Sequence, residues 1–407
     1  MGNALGALMK QTIWLGTASL AALGAAAYAA PAAKAPPPPI ATYWMDAATQ
    51  SGMGAGMTAG ARPNLGQIMG MMSGGSSLAH TLELRLASRQ KPAGAPDAEH
   101  LIPPGLAMGP SLPLVTPNVP PPERPTGLPP GYERPKGRML VYWGCGEHVG
   151  PSQPTVIDFS KLAASQVPPG MAAMSNFAHS VARPGPHSAA GYGEWPNPRD
   201  SRAVPATGSL TGAHRVEGNY SPPIGFTLAP GQDFMPSLDL SEAGALPSGA
   251  SRLAWRMAPT ATGYALAMFG SSGNGDVVIW TSGRNAAMFR NMDYLAPSEV
   301  RRLVGTGAVL APTTSQCVLP AEVATASPAG MITMIGYGPE VNFAEKPKAP
   351  TWTAKVRFKT SASLIRGLGG YGGASAQSGQ PGQPGQPPRK RQKCGLGDIL
   401  NGTIPGN

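Results

Sequence analysis

Proline and glycine set the limits on this chain. It carries 54 Gly and 47 Pro in 407 residues, and one or the other interrupts nearly every window long enough for a regular helix. Short segments remain, and their recurring pattern is period two, the mark of strands. Charged residues make up 13%, about half the usual share, while 42% are hydrophobic. That balance argues against disorder throughout. The expectation is an all-β protein with two β-sandwich-like domains, long Pro/Gly-rich linkers and disordered termini.

Leu82, Leu84 and Leu86 alternate with Glu83 and Arg85, which predicts a half-buried strand. Arg138 to Trp143 is apolar on both faces and reads as a central strand, with Thr155 to Phe159 pairing nearby. Ile224 to Leu228 is a further strand. Arg252–Met257, Gly263–Phe269 and Val277–Thr281, punctuated by the turn Gly270–Asp276, read as a β-meander. Met331 to Ile335 is another apolar strand. Pro297 to Val304 reads as a short helix with Pro near its start and Gly305 beyond its end. In the last strand Trp352, Ala354, Val356 and Phe358 face one way, and Thr353, Lys355, Arg357 and Lys359 the other. A basic outer face protects an edge strand from pairing; the other reading of the same face is anion binding.

These signals divide the chain into five parts: a signal peptide at 1–29, a disordered Pro/Gly/Met-rich linker at 30–76, a β-rich domain with long loops at 77–220, a β-sandwich-like domain at 221–366, and a disordered Gly/Gln/Pro-rich basic tail at 367–407. At the N-terminus Lys10 precedes a mostly apolar run, Thr12 to Ala27, and Ala27-Tyr28-Ala29 fits a cleavage signal. The run is short for a membrane span, so no transmembrane anchor is expected after cleavage, and Ala30 becomes the first mature residue. Met9 is an alternative start. The expected location is periplasmic or extracellular. Met53, Met57, Met69, Met71 and Met72 in the linker read either as thioether ligands for Cu(I) or as flexible chain.

The formal charge is +10, which favours anionic partners. It is spread thinly except at Arg389–Lys393, so no nucleic-acid partner is expected. Of the three cysteines, Cys145 and Cys317 lie in segments that look folded and are the candidate disulfide, leaving Cys394 in the tail for an intermolecular contact. There is no C-x-x-C, H-E-x-x-H, G-x-S-x-G or Walker-type loop, so no metal, no cofactor and no catalytic residue is assigned. Trp143-Gly144-Cys145-Gly146-Glu147-His148 is the most unusual local stretch. It reads as a structural turn carrying the disulfide, with a metal site or thiol chemistry as alternatives.

The block from Leu253 to Ser282 resembles part of a fibronectin type III or related immunoglobulin-like module. Trp255, Pro259, Gly263 and Tyr264 stand in comparable order. The resemblance implies a β-sandwich and a role in adhesion, spacing or binding, and no reaction. A short helix near Ser298 departs from that pattern.

From Val167 to Ala213 periodicity disappears, and a loop of that length is functional or disordered. Within it Tyr192 and Trp195 are candidate sugar-stacking residues, and Glu194 with Asp200 a candidate carboxylate pair. The expected function is a non-enzymatic binding or structural protein of the cell envelope, with an envelope component or polysaccharide as partner. The alternative is a secreted, carbohydrate-active hydrolase using the 167–213 loop.

Overall fold

The computed structural model describes residues 37–52, 55, 78–118, 137–161, 182–285, 293–346 and 350–367. The signal peptide, the Met cluster, the first part of the 167–213 loop, the Gly-Gln-Pro repeats, the basic run and Cys394 lie outside the described residues.

The fold is predominantly β. In chain order the strands are β1 (Ala41–Gly52), β2 (Leu78–Ser88), β3 (Ala98–Leu101), β4 (Ser111–Pro113), β5 (Arg138–Trp143), β6 (Thr155–Asp158), β7 (Gly191–Trp195) and β8 (Gly212–Gly218). They continue with β9 (Ile224–Leu228), β10 (Ser241–Ala245), β11 (Ser251–Ala254), β12 (Gly263–Ser271), β13 (Val277–Thr281), β14 (Gln316–Leu319), β15 (Gly330–Ala344) and β16 (Trp352–Arg366). Among the described residues the α-helices are α1 (Pro297–Gly305) and α2 (Ala321–Ala326).

Nine strands form the main sheet in the order β6-β5-β13-β12-β15-β16-β1-β2-β7. A four-stranded sheet runs β4-β3-β8-β9 and a three-stranded one β10-β11-β14. The main sheet is mixed: β1 lies parallel to β16 and β13 parallel to β5, and its remaining pairs are antiparallel. Strands from before and after residue 220 both enter it, and all of these elements belong to one unit, residues 39–407.

One face of the main sheet is apolar. Leu82, Leu84 and Leu86 of β2 are buried there, as the alternation predicts, together with Tyr43, Met45, Met268, Trp280, Met334, Val356 and Phe358. Against them pack Leu112, Val216, Ile224 and Phe226 of the four-stranded sheet and Leu253, Cys317 and Leu319 of the three-stranded one. On the other face α1 lays Val300 and Leu303 over Ala265, Ile335 and Tyr337. Helix α1 follows its sequence signals. Pro297 opens it and Glu299 accepts from Arg302 one turn on, at 2.8 and 2.6 Å.

The structure corrects several expectations. Residues 41–52, read by composition as linker, form β1, a central strand buried on both faces. Its neighbours in sequence are rich in Pro and Gly, and its own Asp46 and Gln50 break the apolar pattern. The partner that makes it a strand lies more than 300 residues away. β16 is likewise central, between β15 and β1, so its basic side chains do not guard an edge. The expected meander is half present. β12 and β13 pair as a hairpin, but β11 pairs with β10 and β14 in the small sheet. Trp255 and Pro259 fall in the connection that carries the chain from one sheet to the other.

Part of the 167–213 loop is ordered as β7, which pairs with β2. Gly191 and Gly193 are required there, because Tyr220 lies across the strand. A Cβ on Gly193 would come within 2.5 Å of the Tyr220 hydroxyl oxygen and 2.9 Å of the Leu114 carbonyl oxygen. Gly193→Ala is therefore expected to cost about 1–3 kcal/mol, read as a lower midpoint in chemical denaturation. A change within about 0.5 kcal/mol would show that Tyr220 and the Leu114 backbone both give way.

Candidate functional site

Strand register builds the most concentrated polar site among the described residues. On the face opposite the main core, β16 presents Lys355, Arg357 and Lys359, and β1 presents Trp44 and Asp46. The parallel register sets Arg357 beside Asp46 and Lys355 beside Trp44. The antiparallel register of β1 with β2 sets Glu83 beside Asp46 and Arg85 beside Trp44. Three period-two patterns thus converge on one patch, because side chains of like parity share a face. Arg183 enters from the chain ahead of β7, and Asp293 and Tyr294 from the chain ahead of α1.

Asp46 is the hub. Its side chain is fully buried, and Arg357 donates to both its oxygens, at 2.6 and 2.5 Å. Arg85 donates to the same carboxylate at 3.3 Å, and Arg183 stands 3.7 Å away. Glu83 receives Arg85 at 2.7 Å and Arg183 at 3.5 Å. Arg183 also pairs with Asp293, whose other oxygen lies 3.4 Å from the Lys359 ammonium. The Arg357 guanidinium is sandwiched by aromatic faces, 4.6 Å from the Trp44 ring centre and 4.7 Å from that of Tyr294. Such stacking suits a planar, weakly hydrated cation. Lys359 sits 4.2 Å over the Tyr294 ring. Burial pulls its ammonium down to about 8; Arg183 and Arg357 push the same way, while Glu83 and Asp46 oppose them. Lys355 pairs with Glu340.

A second buried polar system ties the main sheet to the four-stranded one. The Tyr43 hydroxyl lies 2.8 Å from Nδ1 of His100, Nε2 of His100 lies 3.0 Å from Nδ1 of His214, and Nε2 of His214 lies 2.7 Å from the Leu210 carbonyl oxygen. A carbonyl only accepts, so His214 Nε2 carries hydrogen and its Nδ1 accepts from His100 Nε2. His100 Nδ1 is then left to accept from Tyr43. With both rings neutral, every ring nitrogen is satisfied.

Burial, reinforced at His100 by the neighbouring His214, holds both imidazoles below the ordinary value of 6.5. The unfolded chain therefore binds protons first as pH falls through 6.5, and stability rises with pH in that window. Above 6.5 the two histidines contribute no pH dependence. By pH 5.5 they are expected to cost roughly 1–3 kcal/mol together. Urea midpoints at pH 7.5 and 5.5, in wild type and in His214→Gln, check this. An equal drop in both proteins would place the acid sensitivity elsewhere.

The residues singled out from sequence are dispersed. Cys145 and Cys317 form a disulfide, with sulfurs 2.11 Å apart. It joins the chain beyond β5 to β14. His148 Nδ1 is 3.0 Å from a Glu322 oxygen, at an exposed position. Tyr192 and Trp195 are buried and face opposite sides of β7, so they make no shared stacking platform. The Tyr192 hydroxyl donates to Glu194 at 2.7 Å, and burial and that carboxylate push the phenol well above its usual range. Both Asp200 oxygens accept from Arg202. Sequence reading passed over Asp46, Arg183, Asp293 and Tyr294. The available signal was the period-two spacing of Glu83/Arg85 and of Lys355/Arg357/Lys359, which puts the charges on one face of each strand.

Among the described residues no group of three or more His, Cys, Asp or Glu could hold a metal ion, and no helix is long and apolar enough to cross a membrane. Set against protein-family models, curated proteins and solved structures, the chain matches none.

Proposed function

We propose that this chain is an exported, non-enzymatic binding or structural protein of the cell envelope. The observation that carries the reading is the Cys145–Cys317 disulfide, because such bonds persist in oxidising compartments and are rare in reducing ones. The side chains suggested as chemistry point the same way: Cys145 is bonded, and Glu194 and Asp200 are engaged by Tyr192 and Arg202. An adhesion or spacing role of the fibronectin type III kind gains support from Trp255 and Tyr264, which meet edge to face at 5.7 Å in the core.

Two measurements test the reading. Residues 1–40 fused to an alkaline phosphatase lacking its own leader should give activity in intact cells. Purified mature chain should co-sediment with isolated cell-envelope material. A silent reporter together with protein left in the supernatant would overturn the proposal.

A further inference from the structure

The ion pairs around Asp46 do not use their charges evenly. Arg357 is fully engaged by Asp46, and Arg85 by Glu83 and Asp46. Arg183 reaches Asp46 and Glu83 only at 3.7 and 3.5 Å, its close contact being to Asp293. Lys359 has the weakest partner, one Asp293 oxygen at 3.4 Å, on a carboxylate whose other oxygen Arg183 already holds. Within this ring the cations Arg85, Arg183, Arg357 and Lys359 face the carboxylates Asp46, Glu83 and Asp293. The nearest further carboxylate, Glu340 on the neighbouring strand β15, is held by Lys355, and Glu194 on β7 stands opposite Arg85 and accepts from Tyr192. The uncompensated charge therefore falls at Lys359.

The ring meets solvent through its outer carboxylates, with the two cations more covered behind them. The Asp293 and Glu83 side chains are 49% and 46% exposed, against 19% for Lys359 and 29% for Arg183. An ammonium has three donors; Lys359 directs one at Asp293 and lies over the face of Tyr294. Its proton affinity is lowered chiefly by burial, which makes an acceptor for the charged ammonium worth more there.

We propose that Lys359 and Arg183 form the binding site for one oxyanion, a carboxylate or phosphate group, which supplies the partner that Asp293 gives Lys359 only in part. This names the ligand class for the binding reading above and rests on it. The oxyanion accepts from the Lys359 ammonium and from the outward side of the Arg183 guanidinium. Asp293 and Glu83, each already paired with Arg183, border the opening and restrict it to a single anionic group. Arg357 is a positioning residue beneath it, fixed by Asp46 and the two aromatic rings. Two chemical sources carry such a group: a soluble acid or phosphate, and the headgroup of an anionic lipid.

The test uses the mature chain at pH 7 and constant ionic strength, with chloride as the reference anion. Inorganic phosphate, glucuronate and phosphatidylglycerol vesicles are each titrated while reductive methylation of individual lysines is followed by mass spectrometry. Saturable protection of Lys359, with exposed Lys91 unprotected, is the expected result. Protection by phosphate or glucuronate alone identifies a soluble anion, and protection by vesicles alone a lipid headgroup. Calorimetric titration with the protective anion should show Lys359→Gln weakened about tenfold or more and Lys359→Arg retaining most of the affinity. No selective protection by any of the three, or unchanged affinity in Lys359→Gln, overturns the site. Co-sedimentation with envelope material that survives Lys359→Gln would leave the general binding reading intact while removing this site from it.

Discussion

Replacing Asp46 by alanine is expected to destabilise the fold by about 3–5 kcal/mol. The side chain of Asp46 is fully buried and that of Arg357 is 5% exposed. Deleting the carboxylate leaves the Arg357 guanidinium without its bidentate acceptor in a place water cannot reach. It also withdraws the 3.3 Å contact from Arg85. The penalty measures the stranded charge and not the worth of the pair, since taking both ions out of water offsets much of their attraction. That distinction has its own signature. In the double variant Asp46→Leu with Arg357→Met, neither charge remains, and the loss should be well below that of Asp46→Ala alone. Urea denaturation at pH 7 of wild type, both single variants and the pair gives the cycle. A single variant within about 1 kcal/mol of wild type would mean that solvent reaches Arg357.

Breaking the Cys145–Cys317 bridge should have an effect of similar size. The two residues are 172 apart in sequence, and closing a loop of that length removes unfolded-state entropy worth about 5 kcal/mol in the chain-entropy model. The junction is also held without the bond. Gly146 N–H donates to the Val318 carbonyl at 2.9 Å, Ala321 N–H to the Glu147 carbonyl at 3.0 Å, and Val149 N–H to the Glu322 carboxylate at 3.1 Å. The Cys145→Ser, Cys317→Ser double variant should therefore fold to the same structure with its stability lowered by about 4–5 kcal/mol. Reductant should shift the wild-type midpoint to that of the variant and leave the variant unmoved. Equal midpoints with and without reductant, once alkylation has confirmed free thiols, would contradict this.

Strands whose burial alternates were legible in advance. Leu82, Leu84 and Leu86 face the core, Trp352, Ala354, Val356 and Phe358 are buried, and Arg138–Trp143 and Val277–Thr281 are strands as read. The short helix begins at Pro297 as its signals require. Less was legible where burial is two-sided or the strand is polar. β1 is buried on both faces although it carries Asp46, Thr49 and Ser51. β7 is Gly-Tyr-Gly-Glu-Trp, and β10 is exposed throughout. In such segments neither hydrophobic periodicity nor propensity separates strand from loop. Tyr192 and Trp195, read from sequence as candidate sugar-stacking residues, are buried in the structure, and aromatics among glycines give no sign of whether a sheet will cover them.

By itself the sequence determined the β-rich class, the faces of the alternating strands, the position of one helix and the choice of cysteine pair. All of these depend on local period, on turn chemistry or on which segments can pack. Tertiary structure alone decided that β1 runs parallel to β16 at a register placing Asp46 beside Arg357. Strand pairing is a contact between distant segments, and period two leaves the partner and its register open. That single choice set Asp46 and Arg357 as the buried centre of a ring of ion pairs on what the sequence shows only as a basic strand face.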